Sequence, residues 1–309
     1  MVQIKDILVP TDFSQTSSAA VGHASMLAEK FDASLTMLHI DTGSTSRREE
    51  AFPPLEPEGE ALSVAAEQEA HELAGLEPLY DLRVKRVVRK SEHPAAEILS
   101  FAQAGACDLI VVGTHGRTGL SHLIMGSVAE TVIRQANCPV ITVRASATAA
   151  QVLPYLNLLV PIDFSPHSEK ALYYAWTLAQ AFNANLQILH VVDLPIHPEH
   201  YALSLNSTES LGHELTQHSY EQITHLMEEF EGARPYESFV ESGRAYSEIL
   251  EFAVTHDTDL IVMGTHGLSR LPQFLLGSTT AKVVRHAPCP VLTVKLLERD
   301  FVGKTGSVS

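Results

Sequence analysis

Short apolar runs alternate with amphipathic stretches along the whole chain. In the first half, KDILVP (5–10), SLTMLHI (34–40), RVKRVVR (83–89), DLIVVG (108–113) and PVITVR (139–144) are rich in Val, Ile and Leu and mostly apolar on both faces. Strands of a parallel sheet buried between helices read this way. Between them, 15–31, 57–75, 94–106 and 120–136 read as helices, and Ser14 and Ser165 stand at N-cap positions. Strand-helix alternation predicts parallel sheets with right-handed crossovers.

Displacing the sequence by 151 residues lays ILVPTDFS (7–14) on LLVPIDFS (158–165), LHI (38–40) on LHV (189–191), and Glu97-Ile98-Leu99 on Glu248-Ile249-Leu250. From Asp108 to Arg144, set on Asp259 to Lys295, 19 of 37 positions are identical without a gap. The expected organisation is two tandem α/β domains, 1–146 and 155–298, each a doubly wound, five-stranded parallel sheet with helices on both faces. ASATAAQVLP (145–154) is the expected joint, and 299–309 a tail. The segments 42–58 and 193–208 both follow a second strand, at the carboxyl edge where α/β ligands bind.

VVGTHGRTGLSHLIMGS (111–127) and VMGTHGLSRLPQFLLGS (262–278) keep three glycines in register: Gly113, Gly116 and Gly126, then Gly264, Gly267 and Gly277. Glycine permits close backbone approach or positive φ. Gly126-Ser127 and Gly277-Ser278 each precede a helical run, whose first N–H groups and dipole favour an anion. One reading is a phosphate cradle; the other is that the glycines only make turns and Ser127 only caps a helix. Asp12 and Asp163, at the carboxyl end of the first strand of each half, suit ribose hydroxyls, or else cap the next helix beside Ser14 and Ser165. His39 and His190 read as structural; His115 and His266 either donate to phosphate or face solvent.

Composition narrows the field. The net charge of −16 is spread over both halves, −7 in residues 1–150 and −9 in the remainder, which disfavours nucleic acid as a partner. No apolar stretch approaches the length of a membrane span, and charges interrupt the first apolar run, so a cytoplasmic location is expected. Three cysteines without a CxxC pattern suggest reduced thiols, with Cys138 and Cys289 as small buried residues.

The combination of PTDFS, a second strand ending LHI or LHV, G-x2-G-x9-G-S and CPV-x-x-V resembles the universal stress protein family, and both halves match over nearly their whole length. The resemblance implies strand order 3-2-1-4-5 and an adenine-nucleotide site in each half for ATP, or ADP or AMP, with Mg²⁺. By motif position, Asp12 and Asp163 would hold ribose, while Ile40, Val191, Pro10-Thr11 and Pro161-Ile162 would line the adenine slot. Gly113, His115, Gly116, Gly126, Ser127 and Val128 would cradle phosphates in the first half, and Gly264, His266, Gly267, Gly277, Ser278 and Thr279 in the second. Arg117 supplies a basic residue after the second glycine where the second half has Leu268; Thr280 agrees with the family where Ala129 departs. The implied role is a nucleotide-dependent stress or signalling protein, with a slow ATPase or phosphotransferase, or a scaffold with vestigial sites, as alternatives. Its fifth strands would be sheet edges available for a pseudo-dimer of the halves, and whole chains could dimerise again.

Other motifs carry less. FVGKTGS (301–307) lacks a P-loop's first glycine, since position 298 is Glu298. His197 and His200 flank a proline and lack further ligands. Glu97 and Glu248 suit helix dipoles. No paired general acid and base accompanies the cradle, so weak ATPase activity at most is expected.

Overall fold

The computed structural model describes residues 2–43, 83–114, 125–144, 154–193, 205–230, 235–268 and 275–302. Two compact units result: Met1–Pro154 with Pro290–Ser309, and Tyr155–Cys289.

In the first unit the order is β1 (Asp6–Thr11), α1 (Gln15–Phe31), β2 (Ser34–Asp41), β3 (Val84–Lys90), α2 (Pro94–Ala104), β4 (Leu109–Gly113), α3 (Ser127–Gln135) and β5 (Val140–Val143). The sheet order is β3-β2-β1-β4-β5, and these strands are parallel. It reverses direction between β1 and β4, the crevice where doubly wound sheets bind ligands. Ile7, Leu8, Val9, Leu109, Ile110 and Val111 are all but inaccessible, which explains why these runs show no polar face. β3 is outermost, and Lys85, Val88, Arg89 and Lys90 are exposed there.

The second unit runs β6 (Asn157–Ile162), α4 (Pro166–Phe182), β7 (Asn185–Val192), α5 (Leu205–Met227), β8 (Tyr236–Ser242), α6 (Ala245–Thr255), β9 (Leu260–Gly264) and α7 (Ser278–His286). β6 pairs in parallel with β9 and β7, and β7 with β8, repeating the switch point. The last strand, β10 (Val291–Val294), groups with the first unit. It runs antiparallel to β5, with Val291 facing Thr142 and Thr293 facing Val140. The fifth strands, expected as available edges, therefore pair with each other.

The expected tail is revised at its start. Arg299 Nε pairs with buried Asp108 at 3.0 Å, Phe301 is 2% exposed, and Val302 bridges Val2. Burying an aromatic ring outweighs the cost of ordering a short extension. The expected helix over 57–75 lies outside the described residues, as do His197 and His200. That over 120–136 begins at Ser127, because Gly126 is extended.

Candidate functional site

Each unit has a cavity of about 290 Å³ at its switch point. In the first, Pro10, Thr11 and Asp12 meet Ile40 from β2, Gly113 from β4, and Gly126, Ser127 and Val128 at the start of α3. Equivalent positions line the second: Pro161, Ile162 and Asp163, then Val191 and Gly264, then Gly277, Ser278 and Thr279. His266, Gly267 and Leu268 complete it. Their counterparts His115, Gly116 and Arg117 lie outside the described residues.

The two helix starts decide what the cavities can hold. Ser14 and Ser165 cap α1 and α4, each side chain accepting from a backbone N–H three residues on. By contrast α3 and α7 begin after Gly126 and Gly277, which offer no capping side chain. Ser127 is thus the first helical residue rather than a cap. The glycine N–H groups are tied to Thr114 O and Thr265 O at 2.7 and 2.8 Å. The next N–H groups have no capping side chain and sit where Ser127, Val128 and Ala129, or Ser278, Thr279 and Thr280, line the cavity. Such a helix start is suited to a phosphate.

The aspartates lie at the other end of each cavity. Asp12 Oδ1 accepts the Ser14 N–H at 3.0 Å. Asp163 Oδ1 accepts the Ser165 N–H at 3.1 Å and hydroxyl at 2.5 Å, and Oδ2 accepts the Leu268 N–H at 3.1 Å. A Cβ on Gly267 would collide with Asp163 Oδ2, so any larger residue would have to displace the carboxylate or the loop. Gly113 and Gly264 serve another close approach. A Cβ would stand 2.9 Å from the Thr16 backbone or 2.8 Å from His167 Cβ, so these glycines let the first helix of each half pack on the fourth strand. Thr280 lines the cavity, but its proton goes to Gly264 O at 2.9 Å.

His39 Nδ1 lies 2.8 Å from Thr11 O, and His190 Nδ1 2.9 Å from Ile162 O. A carbonyl only accepts, so Nδ1 carries the proton in each ring. These histidines fasten the end of the second strand to that of the first. Against them pack Phe13 and Phe164, at 4.6 and 4.7 Å between centroids, with φ of 62° and 58°. Left-handed backbone at an aromatic residue is strained by about 1–3 kcal/mol and recurs beside ligand sites. His266 packs against His167 with the rings tilted by 44° and their centroids 5.3 Å apart, and the His167 pKa is lowered by burial first and then by His266.

The sequence reading omitted several lining residues. Ser17 and Ser168, and Ile98 and Ile249, line equivalent walls. Both pairs are identical across the 151-residue displacement, a signal that could have found them.

The sequence model of the universal stress protein family matches twice, over 3–144 and 154–295. The chain belongs to the universal stress protein family. A family member from Mycolicibacterium smegmatis is 30% identical over 298 residues, 94% of this chain and 96% of its own length. One from Methanocaldococcus jannaschii is 35% identical over 155 residues, 45% of this chain and 82% of that protein. The crystal structure of a universal stress protein from Archaeoglobus fulgidus is similar in fold, with TM-score 0.60 at 20% identity, covering 94% of this chain and 97% of that one. Among the described residues, no helix is long and apolar enough to cross a membrane.

Proposed function

We propose that each half holds an adenine nucleotide, ATP in preference to ADP or AMP, and that the protein acts in the cytoplasm as a stress-response switch read by protein partners. The ribose would lie at Asp12 or Asp163 and the phosphates at the start of α3 or α7, bringing Mg²⁺ with them. The observation that carries this reading is the pairing, twice, of a helix start without a capping side chain and a carboxylate across one cavity of about 290 Å³. A bound phosphate would give the uncapped N–H groups a charged acceptor and so stabilise the loop before each helix. Nucleotide-dependent ordering of that loop would change the surface offered to a partner.

A ribose at Asp163 would have to share or displace hydrogen bonds already made there. An ionised carboxylate has about four acceptor positions. Asp163 already fills three, with Ser165 and Leu268.

Mass spectrometry of the undenatured protein tests the proposal. Bound ATP is the expected result. Bound ADP or AMP would favour a slow hydrolase, and recovery without nucleotide, even after ATP is added, would favour a scaffold.

A further inference from the structure

The outer strands of the two sheets carry opposite charges at equivalent positions. In the first unit Thr36 faces Lys85 and Ile40 faces Arg89. In the second, Gln187 faces Glu237 and Val191 faces Glu241. Thr36 and Gln187, like Ile40 and Val191, are 151 residues apart, but their partners are 152 apart. Plain displacement of the sequence therefore hides the relation. Matched through the sheet register, two bases in one copy of the fold stand where the other has two acids.

All four side chains are exposed. Among the described residues, none of the four has an ion-pair or hydrogen-bond partner. Among the described residues, β3 pairs only with β2 and β8 only with β7, so within them each keeps an outward row of backbone groups. Residues two apart on a strand share a face. Lys85, Val87 and Arg89 therefore form one row, and Glu237, Phe239 and Glu241 the matching row.

Charge on an edge strand ordinarily blocks pairing. Here the block is selective. Setting β3 against β3 opposes base to base, and β8 against β8 opposes acid to acid. Setting β3 against β8 in antiparallel register opposes Lys85 to Glu241, Val87 to Phe239 and Arg89 to Glu237. Parallel register opposes Lys85 to Glu237 and Arg89 to Glu241 and keeps the Val87–Phe239 pair. Directly opposed unlike charges stabilise a strand pair.

We propose that β3 of one chain pairs with β8 of a second copy of this chain. Such a contact joins two different surfaces, and each chain carries one of each. It is therefore heterologous: it closes into a ring of two or more chains or runs on as a filament.

Charge exchange in the full-length protein tests this. Lys85→Glu/Arg89→Glu leaves both edges acidic, and Glu237→Lys/Glu241→Lys leaves both basic. Sedimentation velocity over a concentration series is read at about 0.01 M and about 1 M salt, where screening acts over about 30 Å and 3 Å. Circular dichroism checks that each variant is folded. The wild type should associate with rising concentration at low salt and dissociate at high salt. Each variant alone should associate at least about tenfold more weakly, a change of about 1.4 kcal/mol. Their equimolar mixture should regain association, because acidic β3 then meets basic β8, and the reverse. Bulk charge does not explain recovery: the exchanges move the net charge from −16 to −20 and −12, so both variants stay acidic. A wild type that stays monomeric at low salt, variants that associate like it, or a mixture that does not recover would each overturn the proposal.

Discussion

Valine at Gly126 and Gly277 separates a ligand role for these glycines from a folding role. Gly277 has φ −55° and ψ 145°, and Gly126 has φ −62° and ψ 142°. Any residue adopts these angles, so the substitution brings no backbone strain. Glycine supplies no capping side chain, so none is lost. A Cβ at Gly277 would stand 3.1 Å from Thr265 O, 3.5 Å from His266 Cα and 3.7 Å from Thr280 Oγ1, tight at one contact only. The stability cost should stay within about 1–2 kcal/mol. A nucleotide phosphate fares worse, because the valine methyls would stand at the mouth of the helix start. A hydrogen bond to a charged group contributes about 1.5–3 kcal/mol, so losing one weakens binding by about ten- to 150-fold. Calorimetric titration of ATP into each single variant and the double should show one site lost at a time, then both. Thermal unfolding of the same samples checks the fold. A folded double variant that binds ATP with wild-type affinity would refute the phosphate assignment.

Turnover should be near background: with Mg²⁺ and ATP, phosphate release should stay well below about 1 s⁻¹, and a faster rate abolished by His115→Ala or His266→Ala would make the protein an enzyme. The first site should bind ATP about five- to a hundredfold more tightly than the second, since Arg117 can make a charge-assisted contact where Leu268 is exposed and apolar. Titrating Asp163→Ala/Gly277→Val against Asp12→Ala/Gly126→Val compares the sites; equal affinities would count against the asymmetry, as would an Arg117→Leu variant that keeps its ATP-over-AMP preference. Stability should fall in mild acid, because burial lowers the His23 pKa from 6.5 to about 4. The unfolded chain binds this proton below about 6.5 and the folded chain only below about 4, so the contribution is complete above 6.5 and lost between those values. It amounts to about 3 kcal/mol, and urea unfolding at both pH values should show a His23→Gln variant losing that much less than the wild type.

The sequence alone determined the duplication, the α/β class and the site's approximate address. Buried parallel strands have no polar face, so Val, Ile and Leu runs announce them; glycines at fixed spacing mark where backbone must approach something closely. The sequence could not say what each glycine approaches. Gly113 and Gly264 look like ligand-facing residues in a one-dimensional motif, yet the atoms they admit are the backbone at Thr16 and the side chain and backbone of His167, because helix and strand meet there only after the chain folds. Nor could it show that Gly267 yields to Asp163, more than a hundred residues away, or that Phe13 and Phe164 take left-handed backbone against a histidine. Tertiary structure alone also decided that β10 runs antiparallel to β5, with Val291 facing Thr142, and that Phe301 is buried. The charge inversion between β3 and β8 belongs there too. A one-residue shift in spacing conceals it in the sequence, and only hydrogen-bonded register, which counts residues across strands rather than along the chain, restores the correspondence.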